Sequence, residues 1–116
     1  LTERIVYVRE RSGRSWHASV AKNVAHRNAS GEVLVNLDCD NFIGESTLAL
    51  IEAHFLSGGR VLHMWSGELG DGTGGRIAIE RDLFHRLRGY DEAFHPMGYQ
   101  DFDLLGRAAA AGFPVT

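Results

Sequence analysis

The chain has a single cysteine, no excess of basic residues and no long apolar run, and each shortage removes a class of protein. Cys39 alone closes no internal disulfide and has no partner for a zinc-type pair. A disulfide-stapled scaffold is excluded, and a reducing compartment, the cytoplasm, is expected. The formal net charge of -3 leaves no basic footprint, so nucleic acid is not an expected partner. No segment approaches the length needed to span a bilayer and no signal-peptide pattern opens the chain, so no membrane span is expected. The histidines show no helical i, i+4 ligand pair, and internal repeats and linkers are absent. What remains is an ordinary globule: 44% hydrophobic and 23% charged residues in 116 positions fit one domain, residues 1–116.

The alternation of elements points to an α/β fold. Ile5-Val6-Tyr7-Val8 reads as a β-branched strand. From Trp16 to Ala29 the residues Trp16, Val20, Ala21, Val24 and Ala25 recur at helical spacing with Lys22, Asn23 and Arg27 off the stripe, between a Ser15 N-cap and a Gly31 stop. Val33 to Leu37 is a mainly apolar run, read as the pattern of a central strand buried on both faces. Leu48, Ile51 and Phe55 mark a second helix, Val61 to Trp65 a third strand, and the glycine-dense stretch 66–76 a mobile loop. Ile77-Ala78-Ile79 is a short strand, Arg81 to Arg88 a short helix stopped by Gly89, and Gln100 to Ala111 a last helix ending at Gly112. Strand and helix alternation predicts right-handed crossovers and a mainly parallel sheet.

The central run ends in Asp38 and Asp40, one residue apart. Ligands of open α/β sheets bind outside the carboxyl ends of the strands, and paired carboxylates there suit a hard cation and, through it, a phosphate. A calcium loop starting at Asp38 fails because its sixth position is Ile43 rather than glycine. A plain turn with two solvated acids is the competing account. Asp101 and Asp103 fall in the first turn of the last helix, where acids also serve as caps. Cys39, between two acids, reads as a small packed side chain rather than a nucleophile. Trp16 and Phe55 are core candidates, and Trp65 is either core or a sugar-stacking platform.

Two stretches together resemble the family 2 glycosyltransferases and the related galactosyltransferase C-terminal-type domain, both of the GT-A fold. Lys22-Asn23-Val24-Ala25-His26-Arg27 through Leu37-Asp38-Cys39-Asp40-Asn41 is similar to the helix and DxD strand of that family. Gly75-Arg76-Ile77 through Gly89-Tyr90-Asp91-Glu92 to Gly98-Tyr99-Gln100-Asp101-Phe102-Asp103-Leu104 is similar to its acceptor-side segment ending in an ED motif. The resemblance implies a partial GT-A, Rossmann-like three-layer fold with helices on both faces of the sheet. It implies inverting transfer of a sugar from a nucleotide-diphosphate sugar donor to a carbohydrate or other hydroxyl acceptor, with Mn2+ or Mg2+ as cofactor. Asp40 is then the direct metal ligand and Asp38 lies near it and the donor, with Lys22 and Asn23 also donor-binding. Asp101 is the base that takes the acceptor proton, and Gln100, Asp103, Tyr99 and His95 lie on the acceptor side.

Two departures qualify the resemblance. Gln100 stands where the family has glutamate, which bears on acceptor type. The strands with which the family grips the nucleotide base have no counterpart before Ile5, and the chain opens on Leu1 rather than Met. It is therefore expected to be the middle and acceptor-side part of a catalytic domain, with exposed sheet edges that favour self-association. The alternative is a non-catalytic or truncated module of the same fold that binds a sugar or a partner.

Overall fold

A computed structural model describes residues 5–116. Its elements are α1 (Ala18–Asn28), β1 (Val33–Val35), α2 (Glu45–Leu56), β2 (Val61–His63), β3 (Ile77–Glu80), α3 (Arg81–Arg86) and α4 (Gln100–Ala110). The sheet has three strands in the order β1-β3-β2, and both pairings are antiparallel. This overturns the mainly parallel, Rossmann-like sheet. Since β1 and β2 each run against β3, they are parallel to one another, as a strand, helix, strand unit requires. They are not neighbours, because β3 returns between them. The reversal comes from the glycine-rich stretch after β2, closed at its base where the Met64 amide donates to the Arg76 carbonyl at 2.9 Å.

The central strand is therefore β3. Its alternate residues serve two cores, as the period-2 geometry of a strand demands. Ile77 and Ile79 join Leu34, Val61, Leu83, Phe84, Tyr90, Leu104, Leu105 and Ala108 on one face. Ala78 joins Ile51 and Leu62 on the other, flanked by Phe55 and Met64. Leu83, Phe84 and Leu104 are essentially without solvent contact, and each such burial contributes about 1.5–3 kcal/mol.

Of the run read as central, Val33 to Leu37, only Val33–Val35 is strand, at the edge of the sheet; Leu34 is buried, while Val35 and, beyond the strand, Leu37 are exposed. An apolar run alone does not say how many strands flank it. Ile5 to Val8 forms no strand and is exposed; its β-branched residues have no partner ladder among the described residues. The N-cap of α1 is His17 rather than Ser15, and its C-cap is Ala29 rather than Gly31. No described helix is long and apolar enough to cross a membrane.

The face that α1 buries is only partly the expected one. Of the expected stripe Val20 is buried and Val24 half-buried, but Ala21, Ala25 and Trp16 before the helix are exposed, and Ala18, Ser19, Asn23 and His26 are buried in addition. The buried groups hold the irregular segment 90–99 against the helix. Asn23 donates from Nδ2 to the Tyr90 carbonyl at 2.8 Å and to Glu92 Oε1 at 3.0 Å, and its Oδ1 accepts from the Tyr90 amide at 2.8 Å. His17 Nε2 lies 3.0 Å from the Phe94 carbonyl, and the Ala18 amide donates to the Pro96 carbonyl at 2.7 Å. Gly89 permits this approach. Its φ is +68°, and a Cβ there would lie 2.6 Å from Asn23 Oδ1, so both conformation and space require glycine.

Candidate functional site

One cleft, with a volume of about 710 Å3, opens between α1, the end of β1, the glycine-rich loop and the start of α4. β1 delivers the first acid. The Asn36 amide continues the ladder by donating to the Ile77 carbonyl at 2.8 Å, and the Asn36 side chain donates to the Gly75 carbonyl at 2.8 Å. The same Nδ2 lies 3.4 Å from Asp38 Oδ1, so the buried Asn36 ties the strand end, the loop exit and the acid together. Beyond it the chain leaves the sheet, and Asp38, Cys39 and Asp40 all line the cleft. Asp40 is exposed and accepts from Asn41 Nδ2 at 2.8 Å.

The second acid comes from α4. Tyr99, its N-cap, is one of two described non-glycine residues with positive φ, at +65°. A bulky side chain in the left-handed region is uncommon, and such backbone tends to occur at functional sites. The turn sets Gln100 and Asp101 into the cleft wall. Gln100 is 5% exposed; its Nε2 is 3.5 Å from Asp101 Oδ2 and its Oε1 has no hydrogen-bond partner.

Between the acids lies Lys22, the only lysine of the chain. Its Nζ donates to Asp101 Oδ1 at 2.8 Å, lies 3.8 Å from Asp38 Oδ1 and sits 5.3 Å from the centroid of the buried Tyr90 ring. Gly75 forms the floor. A Cβ on it would stand 3.0 Å from Asp38 Oδ2, 3.3 Å from Asp101 Oδ2 and 3.4 Å from Lys22 Nζ, so a side chain would crowd all three groups. Burial raises the Asp101 pKa and the charge of Asp38 adds to the rise, while the Lys22 hydrogen bond and charge and His63 oppose it. A carboxylate above its ordinary range is a better proton acceptor.

An aromatic wall completes the cleft. Trp65 stacks on His63, with centroids 5.7 Å apart and planes at 20°, and meets Phe102 edge-on at 5.4 Å. His63 Nε2 is 2.8 Å from the Gly74 carbonyl, which fixes the loop against this wall. The loop itself is bound internally: Asp71 accepts from the Thr73 amide at 2.9 Å and from the Thr73 and Ser66 hydroxyls. These bonds join the two ends of the glycine-dense stretch in one turn network.

Of the residues singled out in the sequence, Lys22, Asp38, Asp40, Tyr99, Gln100 and Asp101 line the cleft. Asn23, Asp103 and His95 do not. Asn23 is 1% exposed and fully engaged with Tyr90 and Glu92, which leaves it no atom for a donor molecule. Asp103 accepts from Arg107 Nε at 2.8 Å one helical turn on, and His95 is exposed outside the cleft. Cys39 is exposed rather than packed, and Trp16, expected in the core, is 61% exposed at the cleft rim.

The chain matches no family model, no curated protein and no solved structure. For a cation, the donor chemistry is two hard carboxylates one residue apart. Among the described residues no group of three or more His, Cys, Asp or Glu side chains is arranged to hold an ion. Two carboxylates make no closed protein cage; any ion held by them would have to take the rest of its shell from water and substrate phosphates. Two contributors escaped the sequence reading. Asn36 is the polar interruption of an apolar run, a signal that was present; Gly75 is one glycine among many, and only the fold distinguishes it.

Proposed function

We propose that this chain carries the catalytic cleft of a metal-dependent inverting glycosyltransferase acting on a nucleotide-diphosphate sugar. The observation that carries the reading is the meeting of Asp38 and Asp101, far apart in sequence, on either side of Lys22 in one cleft that Asp40 also lines. Asp101, half-enclosed and with its pKa raised by burial, accepts the proton of the acceptor hydroxyl. That oxygen then bonds to the anomeric carbon as the bond to the diphosphate oxygen breaks, and the nucleoside diphosphate departs with the electron pair. Asp40 and Asp38 would hold a Mn2+ or Mg2+ ion, which when bound would supply charge stabilisation to the leaving diphosphate. The Trp65 and Phe102 rings offer flat apolar faces to a sugar acceptor.

The test is calorimetric titration of Mn2+ with a panel of nucleoside diphosphates into the protein and into Asp40→Ala and Asp101→Asn. Expected are Mn2+-dependent nucleotide binding, its loss in Asp40→Ala, and, at saturating Mn2+, near-intact nucleotide binding in Asp101→Asn with sugar transfer abolished. Equal binding by the protein and Asp40→Ala contradicts the metal assignment, and retained turnover in Asp101→Asn contradicts the base. A second reading, a non-catalytic sugar-binding module, is favoured by the Lys22–Asp101 ion pair, which engages the proposed base. Nucleotide and sugar binding without any transfer would select it.

A further inference from the structure

We propose that Lys22 is a built-in counter-cation, a positioning residue that shares the Asp38–Asp101 pair with the divalent ion and yields Asp38 when that ion binds. The proposal rests on the reading of Asp38 and Asp40 as cation ligands. Three observations carry it. Lys22 Nζ is unequally shared, at 2.8 Å from Asp101 and 3.8 Å from Asp38, so only the Asp101 contact is a hydrogen bond and the Asp38 contact is charge attraction alone. The residue type is singular. All eleven other basic Lys or Arg positions are arginine, and the ion pairs that hold the fold, Arg60–Glu80 and Arg107–Asp103, use the guanidinium. A lysine ammonium is a compact point charge on a flexible stem, whereas arginine locks carboxylates with a planar fork. The third observation is the shape and unmet bonding of the site. Gly75 leaves room over all three charged groups that a Cβ would occupy, and the 95%-buried Gln100, adjoining Asp101, has an oxygen without a partner.

The physical consequence is a competition. A lysine ammonium, with one positive charge, and a divalent ion, with two, repel one another strongly when both sit closely on Asp38. Entry of a divalent ion therefore moves Lys22 wholly onto Asp101, which ties the donor side of the cleft to the orientation of the acceptor-side carboxylate. In this account lysine and arginine are not interchangeable here, although both preserve charge.

The experiment is titration of Mn2+ alone, followed by calorimetry and by the electron paramagnetic resonance of free Mn2+, into the protein, Lys22→Met, Lys22→Arg and Asp101→Asn. Thermal melts confirm that each is folded. Lys22→Met is expected to bind Mn2+ about tenfold tighter or more, since a repelling charge is gone. Lys22→Arg is expected to bind more weakly than the protein, because its fork spans both acids. Asp101→Asn, which leaves Lys22 only Asp38 as an anionic partner, is expected to bind several-fold more weakly, and adding Lys22→Met to it is expected to restore binding. Equal or weaker binding in Lys22→Met overturns the proposal, as does failure of Mn2+ to bind both the protein and Lys22→Met. If Lys22→Met and the protein bind Mn2+ equally while Asp40→Ala loses it, the counter-cation role falls and the metal reading survives. If Lys22→Met tightens Mn2+ binding but no nucleoside diphosphate adds to it, the counter-cation role stands and the glycosyltransferase reading falls.

Discussion

The two sides of α1 depart from the usual amphipathic arrangement. Toward the core it presents the polar Ser19, Asn23 and His26 beside Ala18 and Val20, and toward the cleft it exposes Ala21 and Ala25 beside Lys22. The polar side is buried because it does the work of a turn scaffold. Asn23 replaces, for Tyr90, the backbone ladder that the irregular segment 90–99 lacks, and buried peptide groups need such partners. The apolar side stays open because it lines one wall of the cleft. Burial thus follows hydrogen-bond demand on one side and ligand access on the other, so a hydrophobic stripe is a poor guide to the orientation of this helix.

The largest effect expected from breaking this contrast is at Asn23. Asn23→Leu leaves the Tyr90 amide and carbonyl buried and unpaired and is expected to cost about 2–4 kcal/mol in denaturant unfolding. It should also weaken any ligand binding indirectly, because segment 90–99 carries the chain to Tyr99 and Asp101. A loss below about 1 kcal/mol would show that the segment is held by other contacts.

Next is His26, on the same buried side, against Phe84 and Tyr90 at centroid distances of 4.8 and 5.9 Å. Burial, with the charges of Lys22 and His85, lowers its pKa from 6.5 to about 4. The folded protein holds it neutral while the unfolded chain takes up a proton near pH 6.5. Between these values the unfolded state binds more protons, and stability falls as pH is lowered, by on the order of 2–3 kcal/mol in all. His26→Phe is expected to flatten the dependence of melting temperature on pH in this window, and an unchanged slope would assign acid sensitivity elsewhere. The smallest effect is on the open side: Ala25→Ser is expected to change stability by less than about 0.5 kcal/mol, whereas a larger loss would mean that this face is covered.

The limits of sequence reading follow from the same contrast. The helices over residues 81–86 and 100–110 were legible and bury Leu83, Phe84, Leu104 and Leu105; the helix 45–56 was legible as a helix, but of its expected face Leu48, Ile51 and Phe55 only Ile51 is buried and Leu48 is exposed. Sheet direction was not legible, because strand order depends on where β3 inserts, and nothing local to Ile77-Ala78-Ile79 encodes its neighbours. Val33 to Leu37 looked central for its hydrophobicity, yet its strand, Val33–Val35, lies at the sheet edge, and the exposed Leu37 beyond it lines the cleft. The acids were legible as residues with chemistry. Their meeting through Lys22, and the diversion of Asn23 and Asp103 to structural bonds, depends on tertiary contacts between α1, β1 and α4.

The most direct test of the cleft as a cation site is paramagnetic broadening of assigned amide NMR signals by substoichiometric Mn2+. The account predicts selective broadening at Asp38, Cys39, Asp40, Gly75 and Asp101 that disappears in Asp40→Ala. Broadening centred elsewhere, for instance on Glu68 to Asp71, or unchanged in Asp40→Ala, would contradict it.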